Sequence, residues 1–338
     1  MRMVDKAPSR RGFAITVSSV VRAALITTLV TFGGAVGAAA DEYPSKRVTI
    51  VVPFAAGGSA DVYARVLAQY LSEDLKQAFI VENRPGAGSI VGTETVKTAP
   101  ADGHTLLLIS NTHTVNETLF AKKNYALMDD FVAVAPINYA DLVLVSRPGL
   151  PAKTMPELIK LAQSQPGKLT YASSGPGTPY HMAGEMLKAL GHMDILHVPY
   201  RTSSGARTDV VGGHVDLMFD ALTTMVESIK GAQVVGLATT GQKRTSQLPD
   251  LPTVAEFIPG YEATIWLGVM APRKTPPEVV AKLNAAITAI VKRPDLQASW
   301  RSQGAEPMTM SPAEFATFMQ GDIKKWAEVV RISGAKVE

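Results

Sequence analysis

Between residues 48 and 240, short apolar runs alternate with stretches in which apolar positions recur every three or four residues. The runs at 48–52, 79–82, 105–109, 131–137, 142–145, 169–171, 195–198, 215–219 and 234–238 read as strands, and helix-like stretches lie between most of them. That β-α-β rhythm predicts mostly parallel sheets flanked by helices on both faces. A further strand is expected at 264–270. Three helix starts are written as boxes with an early proline: Thr154-Met155-Pro156-Glu157, Thr275-Pro276-Pro277-Glu278 and Ser311-Pro312-Ala313-Glu314. After Thr275 apolar residues fall at Val279, Val280, Leu283, Ala286, Ile287, Ile290 and Val291. After Ser311 they fall at Phe315, Phe318, Met319, Ile323, Trp326, Val329 and Val330. Each set marks one face of a helix, read as core packing. Irregular segments at 148–151 and 248–260 are the candidate crossings between two lobes, predicted as 41–146 with 263–338 and as 147–262.

The 338 residues suffice for two lobes, and 46% hydrophobic with 19% charged residues is a globular composition. The formal charge of +3 comes from the first forty residues. They hold five of the 33 basic and one of the 30 acidic residues, which leaves 28 against 29, a net of −1. No basic run interleaved with aromatics appears, so nucleic acid is not an expected partner. Cysteine is absent, which excludes disulfides, thiolate metal sites and Cys nucleophiles. The first forty residues themselves have a basic start, a weakly apolar stretch interrupted by Arg22, and Ala38-Ala39-Ala40 before Asp41. This is the pattern of a cleaved export signal, ending at Ala40, and the alternative is a retained membrane anchor. Ser9-Arg10-Arg11-Gly12-Phe13 resembles the twin-arginine form.

Candidate chemistry lies in two strand-to-helix turns. Val52-Pro53-Phe54-Ala55-Ala56-Gly57-Gly58-Ser59 ends a strand in small residues and opens a helix. Free N–H groups at such a helix start attract anions, and glycines allow close approach. The alternative is a purely structural turn. Ser173-Ser174-Gly175-Pro176-Gly177-Thr178-Pro179 is a second such turn, with Thr178 as N-cap and Pro179 at the first helical position. Two helix starts facing across a cleft would hold a carboxylate without a buried cation. The stretch 80–92 has G-x-G-x-x-x-G spacing, wrong for a dinucleotide fingerprint, and reads as loop packing. No nucleophile elbow, Walker loop or zinc-protease motif is present, and the six histidines lack ligand spacing. Neither a catalytic residue, a metal site nor a cofactor is expected. His181, one turn into its helix, reads as structural or as facing the cleft.

Ordered motifs then point to a family. They are Tyr43-Pro44, Val52 to Gly58 with Asp61 and Arg65, Val81-Glu82-Asn83-Arg84-Pro85-Gly86-Ala87-Gly88, Ala99 to Leu106, Ser173 to Glu185, His197-Val198-Pro199-Tyr200, Gly212-Gly213-His214-Val215-Asp216 and Leu248 to Glu256. In this order they resemble the Bug-type periplasmic solute receptors, the binding proteins of tripartite tricarboxylate transporters, over nearly all of residues 43–338. The resemblance implies a two-lobe, type II-like periplasmic-binding-protein fold with the ligand cleft between the lobes. It implies that Phe54, Ala55, Gly57, Gly58 and Ser59, with Ser173, Ser174, Gly177 and Thr178, grip one carboxylate, and that Asn111 and Asp220 face the cleft. It further implies a periplasmic, monomeric protein that hands a small carboxylate ligand to membrane permease subunits. A sensor acting on a signalling partner such as a kinase is the alternative, and a periplasmic hydrolase is a more remote one. Two departures stand out: Arg201 to Ala206 replaces the usual Lys-Gly and later Pro, with Arg201 either solvated or reaching a second carboxylate, and Pro179-Tyr180 replaces smaller residues. Intact-mass measurement of the exported protein is expected to show a chain beginning at Asp41; a mass retaining residues 1–40 would overturn the leader reading.

Overall fold

A computed structural model describes residues 42–336. The leader read at 1–40, with its cut after Ala40, lies outside the described residues. In order, the chain forms β1 (Val48–Val52), α1 (Ser59–Leu75), β2 (Phe79–Asn83), a 3-10 turn (Ala87–Ser89), α2 (Ile90–Lys97), β3 (Thr105–Ser110), α3 (Asn111–Leu119), α4 (Leu127–Asp130) and β4 (Phe131–Ser146). It continues with α5 (Met155–Ser164), β5 (Thr170–Ser173), α6 (Pro179–Gly191), β6 (Leu196–Pro199), α7 (Ser203–Val211), β7 (Leu217–Ala221), α8 (Leu222–Lys230) and β8 (Val235–Thr239). A 3-10 turn (Val254–Glu256), β9 (Thr264–Pro272), α9 (Pro277–Val291), α10 (Pro294–Ser302), β10 (Ala305–Pro307) and α11 (Pro312–Ser333) complete it.

Strand order runs β2-β1-β3-β9-β4-β7-β5-β6, with β10 and β8 also on β4. β4 pairs with β9 from Phe131 to Asp141, then with β7 and β8 from Leu142 onward, so one strand carries the chain from the first sheet into the second. The apolar pattern gave two strands here because Asn138, Tyr139 and Asp141 interrupt it; the backbone runs straight through, with register shifts beside Ala133 and Pro136. The β-α-β units deliver parallel pairs, β1 with β2 and β3, and β5 with β6 and β7. All pairings of β4 and β9 are antiparallel, because no crossover helix connects these strands to their neighbours, so the sheets are mixed and not mostly parallel. Where β4 changes sheets, Thr240 binds both crossing segments: its Oγ1 accepts from Leu142 N–H (2.8 Å) and donates to Ala263 O.

The inner strands β1 and β3 are almost wholly apolar because both sheet faces are covered there, whereas the edge strands β2 and β6 carry polar and exposed positions. In the first sheet Ile50, Val52, Leu106 and Leu108 pack on Leu67 of α1 and Leu283 and Ile287 of α9. Their neighbours Val51, Leu107 and Ile109 turn the other way, onto Val96 of α2 and Phe315 and Met319 of α11. In the second sheet Val143, Val145 and Met218 meet Val210 of α7 and Met225 of α8. Leu144, Tyr171 and Phe219 meet Leu158 of α5 and Leu187 of α6. Capping boxes form at Thr154/Glu157 and Ser311/Glu314 as expected. The one expected at Thr275 does not: α9 is N-capped by Pro276, so Thr275 lies one residue too early, and its buried hydroxyl has no partner. Among the described residues no helix is long and apolar enough to cross a membrane.

Parallel strands release their following loops at one sheet edge. β1, β2 and β3 send 53–58, 84–89 and Ser110 to the same edge, and β5 and β6 send 174–178 and 200–202 to the corresponding edge of the second sheet. The position of the 174–178 loop depends on how closely α6 lies on β5. A Cβ on Gly184 would stand 2.2 Å from Tyr171 Cε2. Gly184→Ala is expected to lower stability by about 1–3 kcal/mol through overpacking, read from the denaturant midpoint; an unshifted midpoint would show that the two elements separate freely.

Candidate functional site

The first turn is built around Asp61, in the first turn of α1. Its carboxylate accepts from Gly57 N–H (3.0 Å), Asn83 Nδ2 (3.0 Å) and Arg65 Nε (3.1 Å). Burial alone would raise its pKa; these donors, with the Arg65 charge, hold it below the ordinary carboxylate value. Asn83 Nδ2 also donates to Phe54 O (3.1 Å), so both ends of the loop are tied down. Gly57 takes φ +80°, a left-handed conformation that side-chain-bearing residues rarely adopt. No side chain caps α1, and among the described residues the N–H groups of Gly58, Ser59 and Ala60 have no acceptor. These free donors sit at the positive end of a 17-residue helix.

The second turn spends its donors internally. Gly175 N–H goes to Ser173 Oγ (3.1 Å), Gly177 N–H to His181 Nδ1 (3.2 Å), Thr178 N–H to Gly175 O (3.3 Å) and His181 N–H to Thr178 Oγ1 (3.4 Å). That leaves the N–H groups of Ser174 and Tyr180. A third loop joins the two. In 86–89 the backbone is left-handed at Ala87 (φ 45°), Gly88 (60°) and Ser89 (79°), held by Asn116 Nδ2 donating to Gly88 O (2.7 Å). Across the cleft, a Cβ on Gly88 would lie 3.1 Å from Pro176 O, and one on Gly177 would lie 2.9 Å from Asn116 Oδ1. The two sets of loops therefore touch.

They enclose a cleft of about 650 Å³, walled by segments 53–60, 85–89, 174–180 and 200–204, with Ser110, Ile265 and Leu267. Of the residues expected there, Phe54, Ala55, Gly58, Ser59, Ser174 and Thr178 are on the wall. Gly57, Asn111, Ser173, Gly177 and Asp220 are not part of the lining. Gly57 and Gly177 shape their turns. Asn111 Nδ2 donates to Thr264 O (2.9 Å). Asp220 is fully buried, accepting from Arg207 Nε (2.7 Å) and Ala221 N–H (2.8 Å), and burial raises its pKa against the pull of Arg207. Tyr180 covers it: this buried hydroxyl interacts with both Ser59 and Asp220, and burial with the Asp220 charge pushes its ionisation up. The residues that the sequence did not assign to the cleft are 85–89, Ser110, Tyr200, 202–204, Ile265 and Leu267. Among them, the Gly86-Ala87-Gly88 stretch reads in the sequence as loop packing, and Tyr200 with 202–204 only as motif and departure.

This architecture, a cleft between two α/β halves with free helix-start donors on its wall, suits capture of an anion. The family model described as tripartite tricarboxylate transporter family receptor matches residues 63–334. The chain belongs to that family. This receptor is similar to protein BugT of Bordetella pertussis (strain Tohama I), at 34% identity over 313 residues, covering 92% of this chain and 96% of BugT. It resembles the solved structure of an R. palustris protein with adipate at 33% identity and a TM-score of 0.83, covering 86% of this chain and 98% of that one. It also resembles MatC from Rhodopseudomonas palustris with bound malate, at 31% identity and a TM-score of 0.80, covering 85% and 100%. The receptor is a solute-binding protein with the two-lobe periplasmic-binding-protein fold.

Behind its second turn lies a buried polar cluster. Ser173 Oγ is 2.6 Å from His197 Nε2, and His197 packs on His181 with ring centroids 4.2 Å apart. Glu185 accepts from Tyr171 Oη (2.7 Å) and Lys188 Nζ (2.9 Å). The Ser173–His197 pair has the spacing of a nucleophile and base, but Ser173 is 0% exposed and its oxygen already accepts from Gly175 N–H. It supports the turn. Burial, with repulsion from Lys188, lowers the His181 pKa to about 4; burial, with repulsion from His181, lowers that of His197 to about 3. Neutral imidazoles are thus built into the fold, and their contribution is complete above the unfolded value of about 6.5 and lost as pH falls toward 3. His197→Gln is expected to make the acid loss of stability shallower than in the wild type, by about 1.4 kcal/mol per pH unit for the proton removed. Denaturant unfolding from pH 6 to 4 measures this, and identical pH slopes would contradict it.

Proposed function

We propose that this receptor captures a small carboxylate-bearing metabolite in the periplasm, without turning it over, and presents it to membrane permease subunits of a tripartite transporter. The observation that carries this reading is the uncapped start of α1: three N–H groups without acceptors among the described residues, on a cleft whose wall bears no Asp or Glu. A carboxylate there gains charge-assisted hydrogen bonds and a favourable helix dipole without displacing an internal partner. The relatives crystallised with adipate and malate support the ligand class. The second turn adds the N–H groups of Ser174 and Tyr180 and mainly shapes the opposite wall. The lobes taken to close on the ligand are 41–146 with 263–338, and 147–262. Export with cleavage after Ala40 belongs to the same reading. The nearest nucleophile–base pair, Ser173 with His197, stands behind the wall, which favours capture over hydrolysis.

Calorimetry with four- to six-carbon carboxylates tests the grip. A Cβ at Gly58 meets only Ala55 O, at 3.7 Å, so Gly58→Val is compatible with the fold while its branches occupy the approach to the free N–H groups. The expected result is affinity at least tenfold weaker in the variant, with an unchanged melting temperature in the absence of ligand. If no carboxylate binds the wild type at millimolar concentration, or the variant binds as well, the reading fails.

A further inference from the structure

We propose that Arg201 forms a second anion subsite in the cleft, so that this receptor selects a dianion, a short dicarboxylate, over the corresponding monoacid. The inference rests on the reading of the α1 start as the seat of a first carboxylate.

Among the described residues Arg201 is the one charged side chain on the wall. Nearby cations are committed elsewhere: Arg65 to Asp61, Arg84 to Glu82, and Arg207 to Asp220. Among the described residues Arg201 has no hydrogen bond or ion pair, and it is exposed. Its backbone, in contrast, is anchored on both sides. Tyr200 N–H donates to Ser173 O (2.9 Å), and Tyr200 Oη donates to Asp209 (2.5 Å). Thr202 caps α7, accepting from Gly205 N–H (3.0 Å). A pinned loop thus presents a free guanidinium, whose planar fork suits a second carboxylate.

The two positive features come from different sheets, α1 following β1 of the first and Arg201 following β6 of the second. Apolar side chains, Phe54, Ile265 and Leu267, line the same cleft. They suit a methylene spacer between two charged ends. Selectivity follows from desolvation. If the lobes close on a monoacid, Arg201 loses water with no anion to replace it; if they close on a diacid, the cation is neutralised.

The test uses the receptor purified from the periplasm of cells expressing the full chain, with calorimetry at fixed ionic strength. The probes are matched pairs, succinate with butyrate and adipate with hexanoate. The expected result is a diacid bound at least tenfold more tightly than its monoacid in at least one pair. Arg201→Gln should reduce that ratio at least tenfold, and Arg201→Lys should restore part of it. A wild type that binds monoacids as tightly as diacids leaves the carboxylate reading standing and removes this proposal. A preference that survives in Arg201→Gln removes it as well, and shows Arg201 to be a solvated side chain. Absence of binding by all four acids removes the carboxylate reading and the proposal together.

Discussion

The site depends on one buried carboxylate. Asp61 sits where burial opposes its charge, yet three hydrogen-bond donors keep it ionised. By accepting from Gly57 N–H it fixes the left-handed turn, and by holding Asn83 it anchors the loop at Phe54. An anion in the first turn of a helix ordinarily competes with an external anion for the dipole. Here the charge is matched by Arg65, and the carboxylate is directed at Asn83 and the loop. The next N–H groups are therefore left without acceptors on a wall free of acids.

The two turns are alike in sequence and unlike in chemistry. The first is uncapped and retains its donors. The second has Thr178 as cap and His181 as an acceptor, and keeps few donors for a ligand. Its role is one of shape. It touches the first half at Gly88 with Pro176 and at Gly177 with Asn116, and it places Tyr180 against Ser59. The histidine and Glu185 cluster behind it keeps it rigid while remaining away from the cleft.

The two sheets are joined through β4 between Asp141 and Leu142, where Thr240 ties it to the returning segment at Ala263, and also by Gln247 Nε2 donating to Arg301 O. Two apolar clusters are confined to one sheet each, and a third, larger one runs through both. A ligand that contacts both walls favours whichever arrangement brings them together, by the difference in its contacts with the two states.

Local sequence determined much of this protein. The strand-to-helix turns at 53–59 and 173–178, the cap at Thr178 and the boxes at Thr154 and Ser311 were legible because each is settled by residues within one helical turn. The order of motifs identified the family. What escaped was everything that required knowing which distant segments meet. Asp220 was expected on the wall, but Tyr180, forty residues earlier, covers it. The loop at 85–89, and Ile265 and Leu267, enter the cleft only because sheet pairing brings their strand ends together, and the sequence left Arg201 open between solvent and a second carboxylate. The 138–141 interruption hid the continuity of β4, since polar residues suit a strand that is leaving one sheet for another. Short-range hydrogen bonding and periodicity are written in neighbouring residues; burial of a given polar side chain is decided by packing between segments far apart in the chain, and no local pattern encodes it.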